Sequence, residues 1–119
     1  MAPLLRHGTA ASTVLIVLGL TLAGCESERD ANIKDGWMSP GGTRIRMIVD
    51  TCNARHKTEV VETATEVRVA VTARNDENGD CADAVEITLA EPLGARSLID
   101  ESDDEAVPVV LDRNLRDAP

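Results

Sequence analysis

Aromatic side chains are nearly missing from this chain of 119 residues: it has no Phe, no Tyr and a single Trp, Trp37. Any core must therefore be aliphatic, built from Val, Ile, Leu, Met and Ala. Sugars and single-stranded nucleic acids, usually stacked on exposed rings, lose their platform. Protein interfaces, whose hot spots favour Trp, Tyr and Arg, are left with aliphatic or charge-based contacts. Histidine is nearly as scarce, with His7 near the start and His56 the only other imidazole. His56 sits in Cys52-Asn53-Ala54-Arg55-His56-Lys57, a polar connector with no Ser or Cys nucleophile at motif spacing, and reads as a surface residue. A Ser/His/Asp triad needs an oriented base beside an activated hydroxyl, and the chain has no G-x-S-x-G elbow. No helix-period pattern of ordinary length is present either.

The chain also lacks a long apolar run. Ala10–Leu22 covers 13 residues, whereas spanning a bilayer takes roughly 20. Arg6 precedes the run, and Glu-Ser-Glu-Arg-Asp follows Cys25 with no stop-transfer pattern. A basic head, a short apolar core and small residues at its end describe a signal peptide. The segment closes on Leu22-Ala23-Gly24-Cys25, which resembles the lipobox of bacterial lipoproteins at all four positions. The resemblance implies a diacylglyceryl group on the sulfur of Cys25, cleavage after Gly24, and an acylated Cys25 as the first mature residue. It places the protein on the extracytoplasmic side of the cell membrane, held in the lipid bilayer. An ordinary secretory signal cleaved elsewhere is the alternative. Two or more acyl chains anchor stably where one holds marginally.

Acidic residues outnumber basic ones 21 to 12, and removing residues 1–24 takes the formal charge from −9 to −10. That balance argues against nucleic acid as a partner, since binding phosphates needs a cationic footprint. The same charge argues against lying flat on anionic lipid, and favours a body standing off the membrane on a linker. With Cys25 assigned to lipid, Cys52 and Cys81 remain. Disulfides form and persist outside the cytoplasm, and two cysteines allow one pairing. Such a bridge stabilises by about 3–4 kcal/mol in the chain-entropy model. A metal or reactive thiol pair is the other reading, but no ligand pattern supports it. Ten Arg against two Lys suggests GC-rich codons and an actinobacterial source.

Four segments are expected: the signal peptide 1–24, a lipid-anchored tether 25–42, a β domain 43–112 and a tail 113–119. The tether is polar, with Asp35-Gly36 and Ser39-Pro40-Gly41-Gly42 as breaks. Trp37-Met38 is its one apolar pair, suited to a loose contact with the domain or the lipid interface. Beyond Thr43 the period is two. Ile45, Met47 and Val49 alternate with polar residues, as do Val67, Val69, Val71 and Ala73, and Val85, Ile87 and Leu89. Such strands have one dry and one wet face. Val60-Val61, Leu98-Ile99 and Val107–Val110 supply further strands, the last demoted to an edge by Pro108. Asn75–Asp80 and Glu91-Pro92-Leu93-Gly94 carry turn chemistry. The fold expected is all-β, a small antiparallel β-sandwich or partly open barrel of about six short strands with one disulfide. The order of Cys52, Val60-Val61-Glu62-Thr63, the valine strand, Asp80-Cys81-Ala82-Asp83, Pro92-Leu93-Gly94-Ala95-Arg96 and Ile99-Asp100 resembles a group of small exported actinobacterial proteins. That resemblance implies no activity.

Carboxylates are the remaining source of chemistry. Glu86, Glu91, Asp100 and Asp103 could form an acid–base pair across strands only if burial raised one pKa. Asp76-x-Asn78-x-Asp80 resembles the opening of an EF-hand loop, but Cys81 stands where Gly is needed and Ile87 where Glu is needed. Asp76, Asp80 and Asp83, or the 100–105 cluster, remain weak calcium candidates. No cofactor is expected. The acidic run and the Arg55-His56-Lys57 patch offer charge complementarity to an envelope protein partner. These residues favour a non-catalytic, membrane-anchored interaction or envelope-associated module, with a calcium-dependent domain or a small carboxylate hydrolase as alternatives.

Overall fold

The computed structural model describes residues 27–119; the expected signal peptide 1–24 and the expected acylation at Cys25 lie outside the described residues. Nine strands follow one another: β1 (Glu28–Asp30), β2 (Ile33–Met38), β3 (Arg44–Val49), β4 (Arg55–Glu62), β5 (Glu66–Arg74), β6 (Asp83–Thr88), β7 (Ser97–Asp100), β8 (Glu105–Ala106) and β9 (Val109–Leu111). Alternation makes the three longest-range contributors to the core. Val67, Val69, Val71 and Ala73 of β5 point inward, as do Ile45, Met47 and Val49 of β3, and Val85 and Ile87 of β6. The residues between them face water, as a pleat with a period of two requires.

Two sheets pack face to face around this aliphatic core. In the first, β5 is central, with β4 along the whole of one side. Its other side is shared: β1 pairs near the β5 end at Thr72–Arg74, and β7 pairs near its start at Glu66–Val69, with β8 outside β7. The second sheet runs β6-β3-β2-β9. Among the described residues no backbone ladder joins the sheets, so the body is a sandwich and not a closed barrel. All-β architecture and the disulfide stand as expected, but both sheets are mixed: β5–β7 and β2–β9 are parallel.

The expected tether 25–42 is replaced by structure from residue 28 onward. Ala31 and Ile33 are buried in the core between strands of the two sheets, and β2 occupies an inner position beside β3. Two features hid this strand. A bulge between Ile33 and Asp35 breaks its period, and Gly36 fills a core position with no side chain to announce it. A Cβ at Gly36 would sit 3.3 Å from Val109 Cγ2, so glycine lets β2 and β9 approach closely. The tail is also docked. Leu115 is buried, Gly41 N donates to Asp117 Oδ1 at 2.7 Å, and Ala118 N donates to Thr43 Oγ1 at 3.0 Å. The last expected strand is split by Pro108 into β8 and β9, which belong to different sheets.

Cys52 follows β3 and Cys81 precedes β6, and the two form a disulfide with Cα atoms 5.2 Å apart. It pins the 75–82 loop to the β3–β4 turn, where Asn53, Asn75 and Asn78 adopt left-handed φ values that asparagine tolerates. Cys52→Ser should lower unfolding stability by about 2–4 kcal/mol and leave one titratable thiol at Cys81. Urea melts followed by Trp37 fluorescence, with a thiol assay on the same sample, read both quantities.

Candidate functional site

Carboxylates at the disulfide end are bound by the chain's own backbone. Asp83, at the start of β6, accepts from Thr51 Oγ1 at 2.6 Å, Asn53 N at 3.0 Å and Ala54 N at 3.1 Å. Asp76 accepts from Cys52 N at 2.9 Å and Asn78 N at 3.0 Å, and from Arg29 Nε and Nη2 at 2.9 and 2.6 Å. The Asn78 amide, then the Cys52 amide, then Arg29 hold Asp76 down at about 2. The Thr51 hydroxyl, followed by the Ala54 and Asn53 amides, lowers Asp83. Hydrogen bonds to the charged form favour that form.

Thr51, His56 and Asp83 lie together, but not as a catalytic triad. His56 Nε2 is 2.8 Å from Thr51 Oγ1 and 3.4 Å from Asp83 Oδ2, so hydroxyl and carboxylate share one ring nitrogen. Thr51 donates its proton to Asp83, and its oxygen accepts from Nε2. A triad instead sets the imidazole between the two, with the hydroxyl facing substrate. Thr51 is 1% exposed and faces none. His56, expected on the surface, is half-buried in this network.

The weak calcium candidates do not assemble either. Asp76 and Asp83 are committed to their own donors, and Asp80 is exposed at the loop tip. Among the described residues, no group of three or more His, Cys, Asp or Glu is placed to hold a metal ion. Of the four carboxylates considered for acid–base work, Asp100 and Asp103 share one turn and bind the neighbouring residues Ile33 and Asn32, while Glu86 and Glu91 lie in other elements. Glu86 pairs with Arg46 at 3.0 Å on the outer face of the second sheet. Glu91 is exposed in the turn braced by Arg96. Asp103 accepts from Asn32 Nδ2 at 2.8 Å. Asp100, 1% exposed, accepts from Ile33 N at 2.8 Å and from Ser102 N and Oγ at 2.9 and 2.8 Å, tying β7 of one sheet to β2 of the other.

A surface feature remains at the corner where β4 begins and β5 ends. The register sets Arg55 opposite Arg74 and Lys57 opposite Thr72, all on the outer face. With Glu28 and the rim of His56 they line a shallow depression of about 270 Å³. Arg74 Nε lies 3.7 Å from Glu28 Oε1, and Lys57 Nζ lies 3.7 Å from Glu59 Oε1. The sequence marks Arg55-His56-Lys57 as basic; Arg74 joins them only through strand pairing.

Two outcomes follow from the carboxylates. Asp76, Asp83 and Glu62 all titrate below their ordinary range when folded, Glu62 chiefly through the Ala90 amide. Their contribution is complete above the unfolded values near about 4 and is lost as pH falls through the folded ones. Urea midpoints should therefore drop from about pH 4 towards about pH 2, with a shallower fall in Asp83→Asn. Asp100→Ala should cost about 2–4 kcal/mol by stranding the Ile33 and Ser102 amides, against less than about 1 kcal/mol for Glu86→Ala and Glu91→Ala. No family model, no curated protein and no solved structure matches this chain, so its functional reading is built on its own residues.

Proposed function

We propose that this protein is a non-catalytic binding module of the cell envelope, anchored in the membrane by acyl chains on Cys25 and facing the extracytoplasmic side. The observation that carries the reading is Leu22-Ala23-Gly24-Cys25 behind a short apolar core and a basic head. The arrangement of the acids supports the non-catalytic part. Asp76, Asp83 and Asp100 hold loops and strands by accepting backbone donors, which leaves recognition to outward side chains. The disulfide suits a domain exposed to an oxidising compartment.

The test is made on the full chain in a bacterial host. Wild-type protein should incorporate labelled palmitate and sediment with membranes, and crosslinking in cells should capture one dominant envelope protein. Cys25→Ala should lose the label and either leave the membrane fraction or stay unprocessed. Unaltered sedimentation of a Cys25→Ala protein that has lost residues 1–24, or turnover of an envelope polymer by the purified wild type, would overturn the proposal.

A further inference from the structure

We infer that β4 is a self-pairing edge: two copies of this protein join through their β4 strands, laid antiparallel and centred on Thr58, so that one sheet runs through both. The pairing is a property of the domain and does not depend on the anchor at Cys25.

An exposed strand edge is a row of unpaired N–H and C=O groups, and proteins that keep such edges apart use short strands, prolines or bulges. Three margins of this sandwich follow that rule: β1 has three residues, β8 has two, and β9 has three placed after Pro108. β4 does not. It runs eight residues with no Pro or Gly, and its register with β5 is unbroken from Arg55 to Glu62. Among the described residues β5 is the only strand paired with it. β6 is the other long margin, but its outward row is Ala84, Glu86 and Thr88, with no cation to meet a second Glu86.

The side chains of β4 fix both the occupant and the register. Its outward row is Arg55, Lys57, Glu59 and Val61, and its inward row is His56, Thr58, Val60 and Glu62. Directly opposite residues of an antiparallel pair share one face. A copy related by a twofold axis at Thr58 therefore sets Lys57 opposite Glu59 twice, and Arg55 opposite Val61 twice. Lys57 Nζ already lies 3.7 Å from Glu59 Oε1 of its own chain, so the four charges alternate around a square and each lysine gains a second carboxylate. The Arg55 stems cover Val61, which is 59% exposed in the single chain. On the inner face Thr58 meets Thr58, a favourable cross-strand pair. Sliding the partner by two residues sets Lys57 against Lys57 or Glu59 against Glu59, and sliding it by one turns the outward row to the other face. No other register brings Lys57 to Glu59.

Full-length chains carrying either of two C-terminal affinity tags are co-expressed in a bacterial host, extracted in detergent and captured through one tag. Wild type should bring the second tag with it. Lys57→Glu should capture its own kind at least about tenfold less, and Glu59→Lys likewise, because two attractive pairs become two repulsive ones. Lys57→Glu should capture Glu59→Lys at the wild-type level, since the reversed charges again meet their opposites. The two side chains are 73% and 70% exposed, so each variant should keep the wild-type urea midpoint. A measurement on wild type stands beside these. Chains grown in light and heavy nitrogen, mixed in urea with the disulfide closed, refolded and treated with a carbodiimide should yield a light–heavy Lys57–Glu59 crosslink. No capture between wild-type chains, undiminished self-capture by either variant, or no restoration in the mixed pair would overturn the edge pairing. Should a variant fail to fold, Lys57–Glu59 crosslinks confined to light–light and heavy–heavy peptides would overturn it instead.

Discussion

The loops at one end of the sandwich are held by a disulfide and two aspartates that all act on the same short turn. Cys52 is bonded to Cys81, its amide donates to Asp76, and the amides just after it donate to Asp83. Three parts of the chain are thereby fixed to residues 51–54: the 75–82 loop, the start of β6, and β1 through Arg29 and Asp76. The strands that carry the core enter and leave through this knot. Its polar groups are matched to donors within the chain, and no fully buried side-chain nitrogen or oxygen among the described residues is left without a partner. That matters because an unsatisfied buried polar group costs more than a made bond returns.

Dependence on such links follows from composition. Large rings dominate the burial of most cores, and here the core is Val, Ile, Leu, Met and Ala. Trp37 does not enter it; the residue lies on β2 with Arg46 and Val110 as register partners on either side. A small domain with a thin aliphatic core is marginal on burial alone. Asp100 answers this between the sheets, as the disulfide knot does at their end, by binding β2 to β7 where few large side chains interlock.

Strands with a dry and a wet face were legible from residues alone. β3, β5 and β6 fall where Ile45–Val49, Val67–Ala73 and Val85–Leu89 alternate, and the disulfide joins the two cysteines that remain once Cys25 is set aside. β2 was illegible because its bulge and Gly36 remove the period, and β1 because three residues carry no period at all. The carboxylate network could not be read either. Its bonds join residues far apart in sequence, Asp100 to Ile33 by 67 positions and Asp83 to Thr51 by 32. An acid with a distant backbone partner looks, in sequence, the same as an acid in water. The basic corner was half legible, since Arg74 meets Arg55 only through the β4–β5 register.

Recovering β1 and β2 from the expected tether changes how the domain is built. A flexible linker of residues 25–42 would leave β3 at the edge of its sheet and β9 with no strand to pair with. With strand beginning at Glu28, β2 fills the place between β3 and β9, and its Ile33 enters the core. β1 in turn covers the end of β5 that β7 leaves open. Residues that read as a polar linker thus complete both sheets, which a small aliphatic core needs if its strand edges are to be paired. The second sheet keeps Trp37, Arg46 and Val110 on one outward row.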